Sequence, residues 1–137
     1  MRTTPWNRDA NFYVTKAFPA AAATNYSDSF DLGAINGGVD SRLFAVEMAI
    51  PAMPANTDNT KTSTLTLQES EDNSSFTSVA PLHQAQIVGV ASTGSAAVTY
   101  IIRVPPGIKR YIRFAQDVPS GGGDNTGVSV AYSLLFH

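Results

Sequence analysis

Apolar and polar residues alternate with a period of two along most of this chain, and that period predicts strands rather than helices. Ser41 to Ile50 reads SRLFAVEMAI, with Phe44, Val46, Met48 and Ile50 on one face and almost no polar break on the other. A strand covered on both faces reads this way. Lys61 to Glu69 alternates Thr62, Thr64 and Thr66 with Ser63, Leu65 and Leu67. The branched Cβ of threonine suits a pleated surface. Ala85 to Val90 reads as a short apolar strand, and Val98 to Val104, Lys109 to Gln116 and Thr126 to Phe136 carry the same alternation. Weaker strand signals lie at Phe12 to Lys16, Thr24 to Leu32 and Phe76 to Val79.

Between these segments stand clusters of turn residues, at Gly33 to Asp40, Pro51 to Asn59, Asn73 to Ser75, Pro105 to Gly107 and Pro119 to Asn125. Each is rich in residues that set turn dihedrals or bond their own backbone. Pro105-Pro106-Gly107, between two strong strands, predicts a tight hairpin, and Ser120 to Asp124 predicts a flexible loop tip. The one alanine run, Ala20 to Ala23, is too short for a helix and follows Pro19. Short strands at roughly 10-residue spacing predict an all-β fold, a jelly roll or β-sandwich of about eight antiparallel strands. The reading divides the chain into residues 1–17, an N-terminal arm and first edge strand, and residues 18–137, a single β-sandwich domain.

Composition narrows the surface. Charged residues are only 15% of the chain, against 43% hydrophobic, where soluble domains carry roughly 25% charged. Ser, Thr, Asn, Ala and Gly fill the difference. Such a weakly charged exterior suits packing against neighbours. The net charge of −2 steers the chain toward neither nucleic acid nor an anionic membrane. With no cysteine, disulfides, thiolate metal sites and cysteine nucleophiles are excluded. Met1 to Asn11 holds no apolar run of secretory type, and no stretch is apolar for the ~18 to 20 residues a membrane helix needs. The expectation is a protein made and kept in the cytoplasm, or packed there into something larger.

Candidate chemistry is sparse. Of two histidines, His83 sits beside a proline at a strand edge and His137 ends the chain. No G-x-S-x-G turn accompanies a nucleophilic serine. The glycines 121–123 lack the Lys-Ser/Thr that closes a phosphate loop. Asp72-x-Ser74 and Asp124-x-Thr126 are too short for a calcium loop. Glu69, Glu71 and Asp72 read as turn caps rather than a facing carboxylate pair. Asn25-Tyr-Ser27 and Asn73-Ser-Ser75 match the glycosylation pattern by chance. No enzyme, cofactor or metal is therefore expected.

Three features point to contacts instead. Glu47 stands mid-strand in an apolar segment and must face solvent, a subunit interface, or a basic partner such as Arg113. Arg103, Lys109, Arg110 and Arg113 form the one basic cluster, interleaved with Tyr100, Tyr111 and Phe114. On adjacent strands such a cluster can form a nucleic-acid platform. The acidic whole favours an ion-paired subunit interface. In the N-terminal segment, Trp6 flanked by Arg2 and Arg8 either lies on a neighbour or folds back on its own domain. Trp and Arg are enriched in binding hot spots.

Three stretches, taken in order, resemble a known family. Phe18 to Ala34 (FPAAAATNYSDSFDLGA) runs from small residues into a polar strand. Leu65 to Val79 (LTLQESEDNSSFTSV) carries a Ser-x-Asp-x-Ser-Ser-Phe-Thr hairpin. Lys109 to Phe136 joins KRYIRFAQDV, a glycine-rich tip and TGVSVAYSLLF. This order resembles the capsid cement, or decoration, proteins of tailed bacteriophages. The resemblance implies a jelly roll, self-association as homodimer or homotrimer, and attachment to major capsid protein on the outside of an icosahedral head. It implies no catalysis and no cofactor. The alternative is another virion or tail β-sandwich module, binding carbohydrate or a host surface through an aromatic platform that includes Trp6 or Tyr26.

Overall fold

The computed structural model describes residues 7–34 and 44–136. Ten strands follow one another: β1 (Asn7–Ala17), β2 (Ala23–Tyr26), β3 (Phe30–Asp31), β4 (Phe44–Ile50), β5 (Thr62–Ser70), β6 (Thr77–Ser78), β7 (Gln84–Val88), β8 (Val98–Arg103), β9 (Tyr111–Val118) and β10 (Ser129–Phe136). The only helical element among the described residues is a 3-10 turn at Leu32–Ala34.

A four-stranded sheet has the order β1-β10-β4-β8, and a six-stranded sheet has the order β2-β9-β5-β6, with β3 added on β9 and β7 on β5. All pairings are antiparallel. Because β2 and β3 share one partner and β6 and β7 share another, ten strands occupy eight positions. First pairs with eighth, second with seventh, third with sixth and fourth with fifth. Folding a long antiparallel ribbon in this way gives the two packed sheets of a jelly roll.

The alternation read from the sequence sets which face each strand buries. Val46, Met48 and Ile50 of β4, Leu65 and Leu67 of β5, Ile112, Phe114 and Val118 of β9, and Val130, Tyr132 and Leu134 of β10 meet in one core. Removing one such side chain from water contributes roughly 1.5–3 kcal/mol. Phe114 and Tyr132 stack across the two sheets, with ring centroids 4.8 Å apart and planes 11° off parallel.

A polar chain crosses the same core. The Tyr132 hydroxyl donates to Gln116 Oε1 at 2.6 Å. Gln116 Nε2 donates to Asn25 Oδ1 at 2.9 Å and to the Ala17 carbonyl at 3.0 Å. Asn25 Nδ2 also donates to Ala17, at 2.9 Å. Buried polar groups need such partners, and these join β1, β2, β9 and β10. Burial pushes the Tyr132 phenol far above its ordinary pKa, so it serves only as a neutral donor.

Three local expectations are corrected. Pro105-Pro106-Gly107 is no hairpin, because β8 pairs with β4 while β9 pairs with β5. The segment carries the chain from one sheet to the other, which two prolines and a glycine allow as readily as a tight turn. The glycine-rich stretch 121–123 is packed down rather than a free tip. Gly123 has φ +85°, and a Cβ there would come within 2.0 Å of the Ala55 carbonyl oxygen. Ala55 N–H donates to Asn125 Oδ1 beside it. The first strand also reaches further back than Phe12. Asn7 and Arg8 pair with Phe136 and Leu135, and the register shifts between Arg8 and Tyr13.

Candidate protein-binding surfaces

The outward residues of the six-stranded sheet are almost uncharged. Thr62, Thr64 and Thr66 of β5 lie opposite Val88, Gln86 and Gln84 of β7. Thr64 and Thr66 lie opposite Asp117 and Ala115 of β9 on the other side. The few charges here are engaged. Asp117 accepts a 2.6 Å bond from the Thr24 hydroxyl.

Arg113 stands on this face with its guanidinium between two rings. The Tyr26 centroid is 3.9 Å from Cζ and the Phe76 centroid 4.0 Å. Register explains the clamp. Tyr26 lies opposite Ala115, two residues along β9 from Arg113, within diagonal reach of a long side chain. Gln68 lies directly opposite Arg113, and its Oε1 accepts from Arg113 Nε at 2.9 Å. Each ring contact contributes roughly 0.5–2 kcal/mol. Burial pulls the basicity of Arg113 down, yet a guanidinium stays charged at any working pH. Among the described residues no carboxylate reaches it.

Arg110, three residues earlier, is satisfied differently. Its Nε and Nη2 donate to Asp31 Oδ1 and Oδ2 at 2.8 and 2.9 Å. This fork-on-fork pair raises its pKa and fastens β3 and the 3-10 turn to the start of β9. The Leu32 N–H donates to the Arg110 carbonyl in the same clip.

The second surface is the flank where β7 and β8, the edge strands of the two sheets, run beside each other. Each is paired on one side only, β7 with β5 and β8 with β4. One hydrogen bond crosses between them, from the Tyr100 hydroxyl to the Gln86 carbonyl at 3.1 Å. An open groove of about 510 Å3 lies there, lined by Leu82, Gln84, Gln86, Val88 and Tyr100. Leu82 is 59% exposed, Val88 51% and Ile101 50%. A smaller hollow of about 350 Å3, lined by Ala49, Ile50, Pro51, Ala97, Val98 and Thr99, opens at the start of β8.

The residues singled out from sequence do not form one site. Arg103, on edge strand β8, pairs with Ala45 of β4, whereas Arg110 and Arg113 belong with the six-stranded sheet. The basic cluster was drawn from nearness in sequence, and the crossover at 104–110 divides it. Glu47 pairs with Ser133 and Ile101 on the outer face of the four-stranded sheet, so Arg113 is not its partner. Arg8 lies in β1. Arg2 and Trp6 fall outside the described residues, as does His137. His83 Nδ1 is 2.6 Å from the Pro81 carbonyl.

Asp72 caps the β5–β6 turn. Its Oδ1 accepts from the Ser74 and Ser75 N–H groups and from the Ser70 hydroxyl, each at 2.9 Å. Those bonds, Ser75's first, hold its pKa down at about 2.

Among the described residues, no three His, Cys, Asp or Glu side chains gather as metal ligands, and no helix is long and apolar enough to cross a membrane. Sequence reasoning missed the Arg113 clamp and the open flank. Both depend on which strands become neighbours, and the only local signal was apolar residues at outward positions of the alternation, such as Val88 and Ile101. No protein-family model matches the chain, and no curated protein sequence matches it either.

Proposed function

We propose that this chain is a structural protein of a tailed-phage virion, one that binds the outside of the icosahedral capsid and stabilises it by bridging major capsid protein subunits. It works as a homodimer or homotrimer assembled in the host cytoplasm. The observation that carries this reading is the open flank, where two bare strand edges border exposed Leu82, Val88 and Ile101. Unpaired edges are templates for another chain, and proteins that remain alone blunt them with lysine, proline or a bulge. Residues 98–102 of β8 hold none of these (VTYII), and charge enters only at Arg103, the strand's last residue. The weakly charged exterior agrees, because charged residues are depleted at the centre of interfaces.

A bridging protein needs no catalytic constellation. Contacts repeated by the shell's symmetry add through effective concentration, so a modest affinity at each one suffices. The test is co-sedimentation of the purified chain with empty shells assembled from the major capsid protein of the same phage. The expected result is saturable binding at a fixed ratio and a higher shell melting temperature. A chain that stays monomeric and leaves the shells unaltered overturns the proposal.

A further inference from the structure

Arginine side chains on a surface ordinarily wander or pair with a nearby carboxylate, and Arg110 does the latter. Arg113 does neither. Two rings fix its plane, and Gln68 orients Nε, so both Nη groups are presented in a set direction with no protein acceptor among the described residues. We propose that Arg113 is a preformed anchor for one carboxylate side chain, glutamate or aspartate, on a segment of a partner protein laid across the six-stranded sheet.

The chemistry selects that occupant. A guanidinium fork matches a carboxylate in geometry and binds it through two parallel bonds. The clamp brings one positive charge, and the outward residues around it, Thr66, Gln68, Gln84 and Ala115, are neutral. One carboxylate balances one guanidinium, whereas a phosphate dianion would remain half compensated. The ring of Tyr26, 42% exposed, together with the neighbouring threonine and glutamine side chains, offers a peptide both apolar area and hydrogen bonds. Because the side chain is already ordered, binding costs little rotamer entropy. Arginine and tyrosine with these properties make interface hot spots.

This deepens the assembly role and rests on it only for the partner's identity. The experiment is an NMR titration of the whole chain, following Arg113 Nε–H and the Tyr26 ring. The probes are a short blocked peptide with one central glutamate, its glutamine counterpart, inorganic phosphate and sialyllactose. The expected result is saturable movement with the glutamate peptide at a dissociation constant on the order of 10 mM, and at least tenfold weaker binding of the glutamine peptide. Arg113→Lys should bind about tenfold more weakly, because a point charge does not replace the fork. Thermal melts of that variant and of Phe76→Ala, which opens the clamp but keeps the arginine, separate lost binding from lost folding. The proposal fails if the glutamate peptide causes no saturable movement, if phosphate or sialyllactose binds more tightly than it, or if folded Arg113→Lys binds as well as the parent. Shell binding left intact by Arg113→Lys would sink this inference alone. Glutamate-peptide binding by a chain that ignores shells would sink the capsid reading alone.

Discussion

The two flanks of this sandwich meet one physical problem and treat it differently. On one side, edge strands β1 and β2 are tied through the core. Asn25 and Gln116 both donate to the Ala17 carbonyl, and Gln116 continues to the Tyr132 hydroxyl beneath the stacked Phe114 ring. On the other side, β7 and β8 are linked by an exposed bond from Tyr100 to Gln86. Apolar side chains stand in solvent beside that bond. A sheet edge exposes unpaired N–H and C=O groups wherever it occurs. The first flank answers with internal hydrogen bonds and stability. The second leaves its edges bare; on the reading proposed above another chain completes them, and the two flanks would then divide the work of folding and of binding.

That division predicts unequal responses to similar changes. Gln116→Ala removes three hydrogen bonds and leaves the buried Tyr132 hydroxyl and the part-buried Asn25 Oδ1 without their partner. Each stranded group costs about 1–3 kcal/mol, so a loss of roughly 3 kcal/mol in unfolding free energy is expected by denaturant titration. Tyr100→Phe removes the Tyr100–Gln86 bond across the open flank from an exposed site. It should change stability by less than about 0.5 kcal/mol. Equal losses at the two positions would break the comparison.

The next effect is on association rather than folding. Ile101→Lys places a charge on the bare edge of β8, the device by which solitary sheets avoid pairing. If the chain self-associates through this edge as proposed, sedimentation velocity should show that association weakened at least tenfold, with the melting temperature measured at monomeric dilution unmoved. A variant that associates as the parent does would remove the β8 edge from the interface.

The strands themselves were legible in the sequence because burial on one face imprints a period of two. Leu65 and Leu67 against Thr64 and Thr66 is enough to place β5 and orient it. Pairing was not legible. The Pro105–Gly107 segment fits a hairpin and a sheet crossover equally well locally, and only the packing of distant β4 and β5 decides between them. The same limit hid the surfaces. Arg113 looked like one member of a run with Arg103 and Arg110. Its neighbours are in fact Tyr26 and Phe76, 87 and 37 positions away in the chain, brought beside it by pairing in the six-stranded sheet. Ile101 read as one more apolar residue of a strand, and its exposure follows from β8 ending the sheet.

The smallest expected effect concerns the turn that leads into the open flank. Asp72 holds the link between β5 and β6, and three donors to one carboxylate oxygen keep its pKa at about 2 in the folded chain, against 3.8 when unperturbed. A depressed pKa means that the unfolded chain takes up the proton first as acid is added. The carboxylate's contribution to stability is therefore complete above about pH 4, declines as pH falls toward 2, and is absent below that. The group is fully exposed, so water and salt screen much of this contribution, and the consequence is local. The Ser74 and Ser75 amide signals should titrate together with a midpoint near pH 2, while the amides of Gln116 and Tyr132 in the closed flank stay still. In Asp72→Asn that titration should vanish, because an amide oxygen accepts similar bonds but carries no proton to lose. A midpoint near 3.8, or movement of both flanks in step, would mean that the turn is not held by this carboxylate and that the open flank is not locally independent of the closed one.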